Sequence, residues 1–425
     1  MAKKLVALLL SALMVTSCIA ACSKDDEDSD SEGGNSGDAI QDLIDSTGDS
    51  TVKLTVWASE EDQEFTQTLI NGFKAEYPDV KFDITLEACS ESTAKDTVLT
   101  DISAAADVFA FADDQINELV RAGALLEVTD SYTYDVREEN LGGSVEAATV
   151  DGKLYAYPMT ADNGYFLYYD SNIYSESDVA SLDAMMAAAS ASGTQIGMCV
   201  SDAWYLYSFF KGAGLDLGLN DDGVTNTCNW NTGDGTAVAQ AIIDLCTSGT
   251  FVNAGDDAGI MTGVNDGKYS AVVSGMWNAQ AIEAAYGDGY AATRLPTFTM
   301  NGSQVQMSSF SGYKLIGVNA TSAQAGWATL LAEYLTNETS QIARFEARGL
   351  GPSNIVAAGS DAVQSNPAIA ALAAQAEFAT PQRVGGNYWS SAASLGSILA
   401  SGNPDGTALQ TLLDDCVAGI EAPVI

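Results

Sequence analysis

The stretch "TVKLTVWASEEDQEFTQTLINGFKAEYPDVKFDITL", residues 51–86, predicts a strand, a helix and a second strand. Alternate residues between Val52 and Val56 are apolar, which is the period of a strand. From Glu61 the apolar residues recur every fourth position, as on one face of a helix, and Pro78 ends that pattern. The strand period then resumes. This order of elements favours an α/β fold.

A third strand follows at residues 106–112, "ADVFAFA", whose continuous apolar run is typical of a strand covered on both faces. Strands that alternate with helices form a mostly parallel sheet, and such sheets bind ligands at the carboxyl ends of their strands. Trp57 and Glu60 end or follow the first strand, and Phe111 and Asp114 end or follow the third. We therefore expect these four side chains near a ligand.

The N-terminus predicts export and a lipid anchor. Two lysines precede an apolar run, residues 5–15, which is too short to span a bilayer and is typical of a signal peptide. The sequence "IAAC" that ends at Cys22 resembles a bacterial lipobox, with residues 1–21 removed and Cys22 acylated. Cys18 fits the pattern more loosely. A plain secretory signal with incidental cysteines is the alternative.

Residues 22–50 follow the anchor and consist mainly of small polar and acidic residues. Such a segment has little apolar surface to bury, and its like charges repel, so we expect a disordered, extended tether. An acyl chain holds a protein at a membrane without spanning it. Anchor and tether together predict a domain on the extracellular face of the cell membrane.

The composition excludes several classes of function. The formal net charge is −40, which opposes binding to nucleic acid or to an anionic lipid surface. The chain has no histidine, which removes Ser-His-Asp and Cys-His nucleophiles and His-ligated zinc. Carboxylate chemistry remains open.

The cysteines predict neither a metal site nor a fixed disulfide pattern. None of those after Cys22 is spaced as CxxC, and we expect no metal and no cofactor. An exported protein can form disulfides, and Cys228 and Cys246 are close in sequence. We name them as a candidate pair, although connectivity cannot be predicted from sequence.

Residues 151–170, "DGKLYAYPMTADNGYFLYYD", combine many aromatic residues with a polar centre at 160–163. A buried strand rarely holds so polar a centre, and a surface loop rarely holds so many rings. Aromatic rings, an amide and a carboxylate therefore occur together in a segment that is typical of neither a strand nor a loop.

Several pieces of the chain, taken in order, resemble the family 1 extracellular solute-binding proteins, the maltose-binding-like receptors of ABC importers. The pieces are "KLTVWA", "GFKAEYP", "AADVFAFADDQINELVRAGALLEVTD", "DGKLYAYPMTADNGYFLYYD" and "NDGKYSAVVSGMWNAQAI". The resemblance covers nearly all of residues 51–425. It implies a two-lobed α/β fold of the type II periplasmic-binding-protein kind, in which each lobe is a mostly parallel sheet flanked by helices and the ligand cleft lies at the hinge.

The resemblance also implies the lobe boundaries. The first lobe would comprise 51–160 and 309–354, and the second lobe 161–308 and 355–425. The aromatic stretch would then cross the hinge, with Asp162 as a cleft carboxylate. We expect the rings that follow to divide between packing and cleft lining; they are Tyr165, Phe166 and Tyr168.

The positions that match the family's ligand contacts form the candidate site. Aromatic faces cover the apolar face of a sugar ring, while a few polar groups fix its orientation. With Trp57 and Glu60 from the strand ends, the candidates are Phe111, Asp114, Asp162, Asp202, Trp204, Trp277 and Trp389. Gln115 and Ala393 depart from the pattern, because maltose receptors have ligand-binding arginines there.

Each candidate has an alternative role. Trp57 suits packing between the lobes, and Phe111 continues an apolar strand that suits the core. Asp113 and Asp114 suit N-caps of the following helix, with one of the pair capping and the other binding. Trp277 and Trp389 follow glycine-containing loops, which favours the cleft for both.

The resemblance implies a monomeric receptor of a Gram-positive cell that binds an oligosaccharide, with maltodextrin as the leading guess, and delivers it to an ABC transporter permease. Such a protein is not an enzyme. Two alternatives remain. An acidic, aromatic cleft also suits a cation such as a polyamine or an amino acid derivative. A cell-surface glycoside hydrolase would use two carboxylates, drawn from Asp114, Asp162 and Asp202.

Overall fold

The computed structural model describes residues 36–129 and 131–423. Two five-stranded sheets organise this part of the chain, and each has its own hydrophobic core. The protein is therefore built from two lobes. The predicted two-lobed α/β fold is confirmed.

The strands are numbered in chain order. They are β1 (Thr51–Ala58), β2 (Lys81–Ala88), β3 (Val108–Ala112), β4 (Thr149–Val150), β5 (Lys153–Leu154), β6 (Tyr157–Thr160), β7 (Tyr165–Asp170), β8 (Gln195–Met198), β9 (Leu217–Leu219), β10 (Asn226–Cys228), β11 (Phe251–Asn253), β12 (Tyr269–Gly275), β13 (Tyr290–Thr293), β14 (Thr297–Met300), β15 (Ser303–Gln306), β16 (Ser309–Ser311), β17 (Lys314–Val318) and β18 (Ala379–Pro381).

The helices are numbered in the same way. They are α1 (Ser36–Thr47), α2 (Gln63–Glu76), α3 (Ala94–Thr100), α4 (Ile116–Arg121), α5 (Val136–Glu139), α6 (Gly142–Ala147), α7 (Leu182–Ser192), α8 (Ala203–Gly212), α9 (Gly235–Thr247), α10 (Asp257–Asn265), α11 (Ala279–Tyr286), α12 (Ala325–Thr336), α13 (Glu338–Arg348), α14 (Ile355–Ala358), α15 (Asp361–Gln364), α16 (Pro367–Gln375), α17 (Asn387–Ala400) and α18 (Leu409–Ile420).

The first sheet has the order β2-β1-β3-β17-β6. Strands β1, β2 and β3 are parallel, as the alternation of strand and helix predicts, and β17 runs antiparallel to both β3 and β6. Helix α2 packs against β2 and α12, and its Phe73 is fully buried. The carboxyl ends of the parallel strands therefore meet the start of β17 at one edge of the sheet.

The second sheet has the order β11-β8-β12-β7-β13. Strand β12 is parallel to β8 and antiparallel to β7. The aromatic run of β7 is the core of this lobe, since Tyr165, Phe166 and Tyr168 are all fully buried. The expectation that these rings would be shared with the cleft is therefore wrong, because all three rings are buried and the helices α11 and α16 pack against β7.

The chain passes between the two sheets at residues 160–165, where a polar turn joins β6 to β7. Backbone bonds tie this crossing to two other segments: Ala161 N donates to Gly351 O at 2.9 Å, and Asn163 N donates to Gly312 O at 3.2 Å. The polar centre of the aromatic stretch thus belongs to a hinge of several adjacent chain segments, because backbone groups that leave a sheet need new partners there.

The predicted tether is partly wrong. Residues 36–47 form α1, and Ile40, Leu43 and Ile44 pack against the core of the first lobe. The indole Nε1 of Trp327 also donates to Thr47 Oγ1 at 2.8 Å. The apolar residues spaced along this helix give it a face to bury, which the acidic composition concealed. Residues 48–50 lead from α1 into β1, while the part of the predicted tether before residue 36 and the signal peptide with Cys22 lie outside the described residues.

The named disulfide is also wrong, because Cys228 and Cys246 are free thiols. Cys228 is buried in β10, and Cys246 is half-buried near the end of α9. A disulfide needs close and correctly directed Cβ atoms, which proximity in sequence does not supply. Burial raises the pKa of each thiol to about 12.

Candidate functional site

Two tryptophans of the second lobe lie against each other at the ends of secondary-structure elements. Trp204 is in the first turn of α8, and Trp277 is in the 3-10 turn, Met276–Asn278, that follows β12. Their ring centroids are 5.5 Å apart and their planes differ by 26°. Both are half-buried. We call them the paired tryptophans.

Local hydrogen bonds fix the orientation of the paired tryptophans. Asp202 caps α8, accepting from Trp204 N at 2.8 Å. Asp257 Oδ1 accepts from Trp277 Nε1 at 2.9 Å and from Asn278 Nδ2 at 2.7 Å. Asp257 thus holds the edge of the Trp277 ring, while Asp202 fixes the backbone at the start of the helix that carries Trp204.

The position of the Trp277 ring explains why residue 275 is a glycine. A Cβ at this position would lie 2.0 Å from the Trp277 ring. Real Cβ atoms do not approach other atoms so closely, so any larger residue would displace the indole. The glycine that marks this loop in the sequence therefore serves the placement of the ring.

One polar atom of the paired tryptophans is left over. Within residues 36–129 and 131–423, Trp204 Nε1 is buried and has no hydrogen-bond partner. A buried donor without a partner costs free energy, and native structures rarely keep one without a reason. The indole N–H is available to an acceptor that enters the site.

Trp389 stands apart from this pair. It is half-buried in the first turn of α17, with its ring centroid 5.0 Å from Tyr388 and 6.1 Å from Phe310. Its ring contacts are thus with other aromatic residues of the second lobe. The structure brings Asp202, Trp204 and Trp277 together and places Trp389 in a neighbouring cluster.

The first lobe faces the paired tryptophans with charge. Lys314, the first residue of β17, has its Nζ 6.0 Å from the centroid of the Trp277 ring and 3.9 Å from Glu91 Oε1. Burial alone would lower the pKa of Lys314, but the carboxylates of Glu91, Asp162 and Asp62 outweigh it and raise that pKa. The lysine therefore stays charged.

Asp114 lies at the contact between the lobes. Its Oδ1 accepts from Gln382 Nε2 at 2.9 Å, and Gln382 Oε1 in turn accepts from Asn163 Nδ2 at 3.2 Å. Burial raises the pKa of Asp114 well above its usual range, with a further contribution from Asp113. Asp114 therefore joins a chain of side-chain bonds between the lobes.

The predicted N-caps are wrong. The N-cap position of α4 is Gln115, which makes no side-chain capping bond. Asp113 instead accepts from Tyr313 N at 3.1 Å, and burial raises its pKa to about 7. Gln115 binds neighbouring backbone: its Nε2 donates to Glu91 O at 2.6 Å and its Oε1 accepts from Lys95 N at 2.8 Å.

Two of the predicted ligand contacts, Phe111 and Asp162, are buried in this structure. Phe111 is fully buried in the first core, 5.8 Å from Phe109 between ring centroids, because β3 is covered on both faces. Asp162 is 2% exposed, and its Oδ2 accepts from Gly351 N at 2.5 Å. The structure therefore places Phe111 in the core and gives Asp162 a bond within the hinge.

Trp57 and Glu60 lie at and just after the carboxyl end of β1. Trp57 is half-buried, and its Nε1 donates to Glu87 Oε2 at 3.0 Å. Its ring centroid is 6.4 Å from that of Phe109. Glu60 is exposed in the 3-10 turn Glu60–Asp62.

A cavity of about 320 Å³ lies at the hinge, and neither the paired tryptophans nor Trp389 line it. Its wall is mainly apolar and comes from both lobes, with Tyr313 and Pro352 among the lining residues. It is thus a separate feature of the hinge from the ring-lined site.

Sequence reasoning missed Glu91, Lys314, Asp257 and Gln382. The position of Lys314 at the start of β17 was the one available signal. The others act through tertiary contacts with residues distant in sequence. Across the described ranges no group of three or more His, Cys, Asp or Glu side chains is placed to hold a metal ion. In the same ranges no helix is both long and apolar enough for a membrane span.

Comparisons with known proteins agree with this architecture. A family model described as bacterial extracellular solute-binding protein matches residues 68–371. The galactooligosaccharide-binding protein of Bacillus subtilis (strain 168) is 27% identical over 346 residues, which are 77% of this chain and 79% of that protein.

Solved structures agree over most of the chain. One described by the words "with acarbose" has a TM-score of 0.77 and 28% identity, covering 87% of this chain and 99% of that one. The maltodextrin binding protein MalE1 from L. casei BL23, solved without ligand, has a TM-score of 0.72 and 25% identity, covering 88% of this chain and all of that one (100%). By fold, by sequence and by the extent of the match, this chain belongs to the bacterial extracellular solute-binding proteins.

Proposed function

We propose that this protein is an extracellular, membrane-anchored receptor that binds an oligosaccharide between its lobes and delivers it to an ABC transporter permease. The observation that carries the proposal is the stack of Trp204 and Trp277, with Asp257 bonded to the edge of the Trp277 ring and Lys314 of the other lobe facing that ring. Sugar rings have an apolar C–H face and a rim of hydroxyls. Aromatic faces with fixed polar groups at their edges suit both parts.

The relatives support an oligosaccharide as the ligand class. Their names refer to galactooligosaccharide, acarbose and maltodextrin. Maltodextrin remains the leading guess, and galactooligosaccharide is the first alternative within the class. The proposed contacts are the paired tryptophans, Asp202, Asp114 and Trp389, with Trp57 and Glu60 at the outer edge.

The anchor and the lobe boundaries belong to the same proposal. Acylation of Cys22 would hold the protein at the outer face of the cell membrane, within reach of the permease. The first lobe would comprise 51–160 and 309–354, and the second 161–308 and 355–425. The separate sheets and cores support this division, except that Phe310 and Leu350 pack in the core of the second lobe. Closure of the lobes on the sugar would form the surface that the permease recognises.

The alternatives find less support in the site. A polyamine would bring its ammonium groups against the ammonium of Lys314, and like charges in a half-buried site repel. A glycoside hydrolase needs two carboxylates flanking one bond. Asp162 is buried in the hinge, Asp202 caps α8, and Asp114 is bonded to Gln382. The family relatives are likewise binding proteins.

A thermal-shift screen of the purified protein tests the proposal. The probes are maltotriose, β-1,4-galactotriose and spermidine. A ligand at a hundred times its Kd adds roughly 2.7 kcal/mol of apparent stability. We expect a rise in Tm with a trisaccharide and none with spermidine. A rise with spermidine alone would refute the oligosaccharide receptor.

A further inference from the structure

The loop that carries Glu91 is fixed at the cleft edge of the first sheet. The carbonyl oxygen of Glu91 accepts from Gln115 Nε2 at 2.6 Å and from Ala112 N at 3.2 Å. Ala112 is the last residue of β3, so Glu91 stands beside the carboxyl end of a parallel strand. Gln115 thus holds this loop in place; it is one of the two positions where the resemblance to maltose receptors would imply an arginine.

The side chain of Glu91 is buried without being fully bonded. Glu91 is 6% exposed, and its Oε1 has no hydrogen-bond partner in the part of the chain that the structure describes. The Nζ of Lys314 is 3.9 Å away, which is too long for a hydrogen bond. Keeping a buried carboxylate oxygen without a donor is costly, so the atom points to a donor that arrives with a ligand.

Lys314 connects this carboxylate to the paired tryptophans. It pairs with Ala112 in the sheet, which places it at the same cleft edge as Glu91. Its Nζ also lies 6.0 Å from the Trp277 ring centroid, within the range of a cation–π contact. One acceptor and one donor therefore stand side by side, opposite an aromatic face of the other lobe.

We propose that Glu91 and Lys314 are the specificity pair of the site: Glu91 Oε1 accepts a hydrogen bond from one hydroxyl of the sugar unit stacked on Trp277, and Lys314 Nζ donates to a neighbouring oxygen of the same unit. This proposal rests on the proposed oligosaccharide receptor, and it adds which side chains determine the specificity for the sugar. The pair requires a ligand with a donor and an acceptor on adjacent atoms, as vicinal hydroxyls provide. It takes the polar role that arginines at 115 and 393 would otherwise have.

A purely structural ion cluster is the competing explanation. Glu91 and Arg344 line the same small space beneath Trp57, and within the described ranges Arg344 Nη1 is also buried without a hydrogen-bond partner. A buried water that bridges these two atoms would satisfy Glu91 with no ligand. The two explanations differ in what the loss of the charge affects: sugar affinity in one, and fold stability in the other.

Titration calorimetry and thermal melts on Glu91→Gln and Lys314→Met separate the two explanations. The ligand is maltotriose or β-1,4-galactotriose, whichever the wild type binds more tightly. The chain offers a matched control, since Lys53 and Asp83 form an ion pair of the same 3.9 Å length on the same sheet with side chains 76% and 62% exposed. Lys53→Met and Asp83→Asn remove the same charges without touching the site.

We expect each site variant to raise Kd roughly 10- to 100-fold, as for a lost hydrogen bond to a charged group, with Tm little changed. Lys314→Arg should recover part of the affinity, and the control variants should bind as the wild type does. An unchanged Kd overturns the proposal, and so does a Glu91→Gln protein that melts much lower or fails to fold, because the charge then serves the fold. A wild type that binds neither sugar refutes the receptor function itself.

Discussion

The two lobes contribute opposite chemistry to the candidate site. The second lobe presents rings, with Trp204 and Trp277 stacked and Trp389 nearby. The first lobe presents charges, with Lys314 beside Glu91 and Arg348 Nε 2.7 Å from Asp62 Oδ1. Apolar contact is insensitive to small shifts, while charged hydrogen bonds need exact distances. In the proposed receptor, the second lobe would therefore bind the apolar face of a sugar, and the first lobe would select among sugars by hydrogen bonds formed on closure.

Removal of a ring should produce the largest effect on binding. Trp277→Ala should raise Kd about 30- to 1,000-fold, since a central aromatic anchor contributes roughly 2 to 4 kcal/mol. The melting temperature should change little, because the indole is only half-buried. Titration calorimetry and melts on the same variant measure both quantities.

Trp230→Ala is the control for this variant, because Trp230 is fully buried and stacked on Phe210 at 4.2 Å. It should lose about 3 to 5 kcal/mol of unfolding free energy. If Trp277→Ala behaved in the same way and kept its sugar affinity, the paired tryptophans would belong to the core of the second lobe.

The hinge carboxylate should show the reverse pattern. Asp162→Ala leaves the buried Gly351 N–H without its acceptor, which should cost about 1 to 3 kcal/mol of unfolding free energy. Asp162→Asn retains an acceptor oxygen and should lose less. Urea titrations of the two variants provide the comparison. Loss of sugar affinity at unchanged stability would return Asp162 to the list of ligand contacts.

Contacts between the lobes at the cleft margins should have a smaller effect. Arg121 Nη2 donates to Asp222 O at 2.5 Å, and on the other flank Gln280 Nε2 donates to Ala347 O at 3.2 Å. Arg121→Ala should raise Kd about 2- to 12-fold, because one hydrogen bond of the closed arrangement is lost. A faster dissociation rate in stopped-flow fluorescence is the expected signature. An unchanged rate would show that this flank does not hold the lobes closed.

The prediction that bears least on sugar affinity is a pH dependence of the stability at Asp113. Burial raises the pKa of Asp113 from 3.8 to about 7, so the folded state keeps a proton that the unfolded chain releases. Stability from this group is complete below pH 3.8 and is lost as pH rises to about 7. Asp113→Asn should therefore flatten the dependence of the unfolding free energy on pH between pH 3.8 and about 7. An unchanged slope in urea titrations would place the titration elsewhere.

The fold was predictable because its signals are local. The spacing of apolar residues changes between residues 51 and 86 because strands and a helix bury different faces. The continuous apolar run of β3 reflects burial of both faces of that strand. The helix boundary at Asn337 was not predicted: its side chain caps α13 by accepting from Ser340 N, and it splits one apolar pattern into α12 and α13. A cap inside a continuous pattern leaves little trace in hydrophobic periodicity.

The site was less predictable because its polar half is assembled by tertiary contacts. Trp277 could be assigned from its position after Gly275, a local feature. Glu91 could not, since its place depends on Gln115 and on Lys314, which follows it by more than two hundred residues. Phe111 and Asp162 were assigned by position in a family pattern; both are buried in this structure, and their contact with a ligand stays a prediction.

Closure of the two lobes on one sugar is best measured by small-angle scattering with and without a tightly bound trisaccharide. Such closure requires one ligand to contact the rings of one lobe and the charges of the other. We predict that the radius of gyration falls when maltotriose or β-1,4-galactotriose saturates the protein. We also predict that the decrease is lost in Trp277→Ala at the same concentration. Tight binding of the sugar with no change in the radius of gyration would contradict closure of two lobes on a shared ligand.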